Sequence, residues 1–165
     1  MATHDKLTGL ANREKFETAL DRAFGVGRYS NFAIMFIDLD KFKKANDAYG
    51  HHAGDAVLKI VADRLNERIG DKGLVARVGG DEFVALVTSD IDEEELRWLA
   101  DELIEDCSKP IRFEKSDIQI GASIGIALAP RDGAAPDAIM KAADSALYHS
   151  KRTGRGRASL WKEAA

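Results

Sequence analysis

Asp38 and Asp40 close an apolar run, Ala33 to Leu39, and Asp81 and Glu82 follow a Gly79-Gly80 pair between two further apolar runs. Carboxylates at the end of one strand and on the tip of a hairpin beside it can converge on Mg²⁺, which takes hard oxygen ligands and retains waters. Two-metal phosphoryl transfer uses that arrangement, one cation activating the attacking oxygen and the other steadying the leaving group. A two-residue link between strands needs positive φ, and glycines there also let phosphates approach the backbone. Acids at strand ends and turns also serve as plain caps or solvated loop residues, and for an isolated pair that reading stands beside the chemical one. Cations and donors complete the inventory. Phe42 and Lys43 open a short helix whose free N–H groups make an anion site. Lys151 and Arg155 lie four residues apart and share a helix face if the helix persists that far. Their alternative is a basic last turn that complements the helix dipole.

Those groups need a scaffold, and the apolar spacing supplies one. Phe16, Leu20, Ala23 and Phe24 recur at helical intervals between an N-capping Asn12 and Gly25. Asn31–Leu39 reads as a buried strand, followed by a short helix from Asp40 that is interrupted around Gly50. A long helix runs from Gly54 to about Ile69, with Val57, Val61 and Leu65 stacked four apart. Gly73–Val78 and Glu82–Thr88 form a hairpin about Gly79-Gly80. Asp92–Ser108 is amphipathic through Leu96, Leu99, Ala100, Leu103 and Cys107, and the acidic run from Asp90 to Glu95 is its charged, solvated start. Ile118–Ala129 is a strand, Ala134–Arg152 a helix, and Ala158–Trp161 a last strand. A hairpin in the middle of alternating strands and helices predicts a mixed, mostly antiparallel sheet flanked by helices, an α/β sandwich.

At 165 residues the chain fits one domain with a core that needs no staples, and no repeat, linker or low-complexity tract divides it. Its apolar stretches are too short to cross a bilayer, and no signal peptide opens it. A single cysteine, Cys107, rules out an internal disulfide or a cysteine metal cluster and fits a reducing, cytoplasmic setting. Net charge is −4, without the broad positive face that nucleic acid polymers require. Small anionic nucleotides remain within reach of a few local cations.

The run Arg77-Val78-Gly79-Gly80-Asp81-Glu82-Phe83 resembles the signature of GGDEF-domain diguanylate cyclases. It has company in the expected order. Asp5-Lys6-Leu7-Thr8-Gly9-Leu10-Ala11-Asn12-Arg13 is similar to the family's DxLTGLxNR opening. Asp38 through Phe42, Lys43, Asn46 and Asp47 to Gly50-His51 and Gly54-Asp55 resembles its DxDxFKxxND…GHxxGD stretch. Ser123-Ile124-Gly125 and Ala143-Asp144 through Tyr148, Lys151, Gly154 and Arg155 resemble its later blocks. Together they run from residue 5 to residue 155.

The resemblance implies a nucleotidyl-cyclase, palm-like sandwich that condenses two GTP into cyclic di-GMP and pyrophosphate with Mg²⁺, or Mn²⁺ in its place. It implies that Asp38, the Leu39 carbonyl and Asp81 hold metal, with Asp81 also the candidate base and Glu82 reaching a second metal unless strand alternation turns it away. It implies guanine recognition by Asn46 and Asp55, whose plain alternatives are a helix-end turn residue and an N-cap. Phe42, Lys43, His51, Gly79, Gly80, Lys151 and Arg155 would contact the nucleotide. Catalysis would need a transient homodimer, each copy holding one GTP, with no nucleic acid polymer and no membrane segment as partner.

The rival is a catalytically silent GTP-binding module that regulates an attached domain such as an EAL phosphodiesterase. A palm-like polymerase is disfavoured by charge. The opening motif begins at Asp5, so the chain, residues 1–165 as one domain with no coiled coil ahead of that motif, reads as a piece of a longer protein that could be membrane-anchored. Two departures stand out. Gly156 replaces the family's Asn and loosens that end, and the inhibitory RxxD positions are Gly70 and Gly73, with Arg68 and Asp71 displaced by two residues.

Overall fold

The computed structural model describes residues 2–164. In chain order the elements are α1 (Arg13–Ala23), β1 (Phe32–Asp40), α2 (Phe42–Tyr49), α3 (His51–Ile69), a 3₁₀ turn (Gly70–Lys72), β2 (Gly73–Arg77) and β3 (Glu82–Val87). They continue through α4 (Glu93–Ser108), β4 (Ile111–Phe113), β5 (Ser116–Ile118), β6 (Gly121–Ala129), α5 (Pro136–Arg152), β7 (Ala158–Leu160) and α6 (Trp161–Ala164). The main sheet is five-stranded in the order β2-β3-β1-β6-β7. Only the β6–β7 pairing is parallel, so the mixed, mostly antiparallel sheet expected from the sequence is what forms.

β1 lies at the centre of that sheet, which explains its unbroken apolar run: both of its faces are covered. Its odd positions, Met35, Ile37 and Leu39, pack with Val57, Val61 and Leu65 of α3 and Leu99 and Leu103 of α4. Ile34 on the other face joins Phe16 and Leu20 of α1 and Ile139, Ala142 and Ala143 of α5. Continuing that alternation carries Asp38 and Asp40 to the α5 side at the strand's end. α5 approaches the sheet unusually closely. A Cβ on Gly125 of β6 would collide with the backbone of Ala143 and Leu147, so only glycine lets this helix lie directly on the strand. Ser150 then reaches the sheet, donating to the Ile124 carbonyl at 2.8 Å.

Helix ends follow the local chemistry. Asn12 caps α1 by accepting from Lys15 N, and Asp92 caps α4 in a reciprocal box with Glu95. Two expectations need correction. The long helix starts at His51, not Gly54, because Gly50 (φ 93°) ends α2 and starts α3 in one residue. Gly54 sits inside the helix because the Asn46 side chain, backed by Phe42, occupies the space a Cβ would take. The strand expected over 118–129 is also two pieces: Ile118 ends a small β4–β5 hairpin and β6 begins at Gly121. Ile118 and Ile120 are both buried, so the alternation is real although the backbone changes partners. No helix among the described residues is long and apolar enough to cross a membrane.

Candidate active site

The end of β1 and the β2–β3 link meet at one end of the sheet. Asp38 pairs directly with Glu82 across β1 and β3, which puts their side chains on the same face. Leu39 N donates to the Asp81 carbonyl at 3.2 Å, tying the link to β1. The link is four residues, Val78–Asp81, closed by Val78 N and Gly79 N on the Glu82 carbonyl at 3.0 and 3.3 Å. Neither Gly79 nor Gly80 adopts positive φ, contrary to expectation, because a longer link does not need that conformation. A Cβ on Gly79 would lie 2.8 Å from the Glu82 carboxylate, so a larger residue there would displace that side chain.

Asp81 precedes β3 and sits in a bend, so strand alternation does not separate it from Glu82. Burial pushes its carboxyl pKa up, and the charges of Asp38 and Glu82 push it further, with only Lys151 opposing among the nearby side chains. Lys151 forms an ion pair with Asp38. Asp38 and Asp81 therefore share the charge of Lys151, while Glu82 adds to the crowding at Asp81. Among the described residues no group of three or more His, Cys, Asp or Glu side chains is arranged to hold a metal ion. Mg²⁺ needs less, typically one or two carboxylates with waters and substrate phosphates. Asp38, Asp81 and the Leu39 carbonyl fit that donor set, with Glu82 beside them.

Directly after the end of β1, α2 starts at Phe42 behind Lys41 (φ 67°), with no side chain capping its first turn. Its N–H groups are therefore free to meet an anion. Lys43 is exposed, as is His51 at the α2–α3 corner. Asn46 is half-buried against Gly54, and Asp55 next to it is exposed in the fifth position of α3. That position removes the N-cap alternative for Asp55, since an N-cap lies outside the helix it serves.

Arg155 needs correction. α5 ends at Arg152, and Gly154 (φ 126°) and Arg155 (φ 60°) turn the chain away, so Lys151 and Arg155 do not share a helix face. Arg155 lies 3.6 Å from Asp40 instead. Asp40, grouped in the sequence with Asp38 as a strand-end acid that could reach a metal, is engaged within the fold instead. It is 5% exposed, accepts from Ser123 Oγ at 2.9 Å and from Gly156 N at 2.9 Å, and so latches residues 154–157 onto the sheet. Position 156 is held by its backbone, not loosened by the lack of a side chain. The spacing of Asp38 and Asp40 flags both acids, but the latch itself was missed because Gly156 carries no side-chain signal.

The Diguanylate cyclase, GGDEF domain family model matches residues 2–157. The chain is 42% identical over 159 residues to the bifunctional diguanylate cyclase/cyclic di-GMP phosphodiesterase MucR of Pseudomonas aeruginosa, covering 94% of this chain and 23% of that protein. It spans about a quarter of that relative's length. The solved GGDEF domain of TpbB (YfiN) from Pseudomonas aeruginosa superposes with a TM-score of 0.89 at 40% identity, covering 95% and 93% of the two chains. The GGDEF domain of DgcB from Caulobacter crescentus, solved in complex with c-di-GMP, gives 0.87 at 31%, covering 98% and 97%.

Proposed function

Because this chain belongs to the GGDEF-domain diguanylate cyclase family, we propose that it is an active cyclase that condenses two GTP into cyclic di-GMP with release of pyrophosphate. The observation that carries the reading is the crowding of Asp38, Asp81 and Glu82 around a single lysine at the sheet end, beside an uncapped helix start. Mg²⁺ or Mn²⁺, when held by Asp38, the Leu39 carbonyl and Asp81, supplies charge neutralisation and a lower pKa for the 3′-hydroxyl. The α2 N-terminus and Lys43 bind the triphosphate, and Gly79 and Gly80 leave room for it. Lys151 balances charge at Asp38 and is placed to shift to a phosphate oxygen. Arg155 works from the 154–157 loop, and His51 reaches the nucleotide from the α2–α3 corner. A single chain offers one such set, so two copies must meet. Incubation with GTP and Mg²⁺ followed by product identification tests the proposal; GTP bound without any cyclic di-GMP would favour a silent regulatory module, as would suit a chain whose relatives include a bifunctional protein.

Base selectivity follows from α2 and α3. A carboxylate at Asp55 accepts from guanine N1–H and the 2-amino group, and the Asn46 amide donates and accepts. Adenine offers no such donor pair. Asp55→Ala is expected to weaken GTP binding by about 1–3 kcal/mol while leaving ATP nearly unchanged. A GTP/ATP ratio that titration finds unaltered sinks this assignment.

Product feedback through the family's RxxD positions is expected to be absent. A Cβ at position 73 would collide with the Leu86 carbonyl, so no aspartate fits there without moving β3. The displaced Arg68 is already engaged, with Nε and Nη2 donating to the Asp106 carboxylate at 2.8 and 3.0 Å. Calorimetry should find no tight cyclic di-GMP site; tight binding that disappears in Arg68→Ala overturns the expectation.

A further inference from the structure

The link that carries Asp81 is gripped by residues outside it. Arg77 Nε and Nη2 both donate to the Gly80 carbonyl, at 3.1 and 2.9 Å. Nη1 of the same guanidinium donates to the Asp5 carboxylate at 3.2 and 3.3 Å. Asp5 is itself fixed, accepting from Thr8 N and Thr8 Oγ1 at 2.9 and 2.7 Å. Burial alone would raise the Asp5 pKa, but the Thr8 hydrogen bonds and the Arg77 charge outweigh it and hold the carboxyl below its ordinary value. Arg13 Nη2 donates to the Val78 carbonyl at 3.0 Å, and Arg77 N donates to the Ala11 carbonyl at 3.0 Å.

The carbonyl that Arg77 holds belongs to the peptide entering Asp81. The peptide leaving Asp81 is held on its other side by Leu39 N. With both flanking peptide planes fixed, the two backbone dihedrals of Asp81 are fixed as well, and so is the direction of its side chain. We propose that Arg77, oriented by Asp5 and assisted by Arg13, is a positioning residue for Asp81, so that the segment from Asp5 to Arg13 is part of the active site's geometry. The inference rests on the catalytic reading of Asp81 given above. Arginine suits the task because one planar fork can bond the carbonyl and the carboxylate together; lysine keeps the charge but cannot span both.

The test compares the parent with Arg77→Lys, Asp5→Asn and their combination. Arg77→Lys is expected to lower kcat by about a hundredfold, the scale of a small misplacement of a reacting group. KM for GTP should change little, because the α2–α3 contacts are untouched. Combining it with Asp5→Asn should add almost nothing, since both act through one carbonyl. Amide hydrogen exchange without nucleotide or metal should accelerate over residues 78–82 and stay unchanged in α3 and α5. Unaltered exchange at 78–82, or acceleration spread evenly over the whole fold, overturns the proposal, as does an unchanged kcat. If the parent makes no cyclic di-GMP, the cyclase reading fails on its own, and the exchange comparison still decides whether Arg77 holds the link.

Discussion

Asp81→Asn is expected to abolish cyclic di-GMP formation and, in the same protein, to raise the midpoint of thermal unfolding at neutral pH. Removing a charged group aimed at the reacting atoms lowers rates by about a thousandfold. The stability gain follows from crowding. The folded pKa of Asp81 is raised by burial and by the Asp38 charge, so its favourable contribution is complete only below the ordinary carboxylate value of 3.8 and is lost as pH rises through the folded value. At neutral pH the ionised group therefore opposes folding, and a neutral amide of the same shape relieves it. The difference in midpoint, measured in EDTA, should be present at pH 7 and close below the ordinary carboxylate range. Added Mg²⁺ should raise the midpoint of the parent and leave that of the variant alone, because only the parent binds it well. Product made by Asp81→Asn sinks the site assignment; a variant no more stable than the parent in EDTA sinks the crowding argument.

The second large effect is on concentration dependence. Each chain presents one end of one sheet with one set of acids, whereas cyclic di-GMP needs each 3′-hydroxyl to attack the other nucleotide. Two copies related by a two-fold axis satisfy that requirement. In dilute solution the rate should rise with roughly the square of protein concentration, and fusing a leucine zipper ahead of Asp5 should raise activity by about 10²–10⁴-fold through effective concentration, provided the linker allows the sites to face each other. Initial rates across a dilution series, with light scattering during turnover, decide the matter. A strictly proportional rate at monomeric mass removes the two-copy mechanism.

What the sequence made legible is what depends on short-range pattern. The β1 run, the periodic faces of α1, α4 and α5, and the cap at Asn12 all lie where spacing and local hydrogen bonding put them. The apposition of Asp38 with the β2–β3 link was also readable, since a strand end and a hairpin tip have few ways to meet. Long-range chemistry was not. The Asp40 latch on Gly156 spans 116 residues and ends on a backbone N–H. The Arg77–Asp5 pair joins residues 72 apart. The shared face of Lys151 and Arg155 depended on the helix persisting past Arg152, and the turn of positive φ at 154–155 ends it there. Gly54 looked like a helix start because glycine is a poor helix former, but a neighbouring helix had claimed its Cβ space.

The direct seating of α5 on Gly125 reaches beyond packing. Ala143 and Leu147 mark the helix's contact with β6, and Lys151 lies one turn further along, where it pairs with Asp38. A side chain at position 125 would lift that turn and carry the ammonium away from the carboxylate, and the attraction falls as the reciprocal of their separation. The stand-off between helix and strand thus acts as the gauge that calibrates the local electric field. One methyl group withheld from a buried strand becomes, one helical turn away, a voltage.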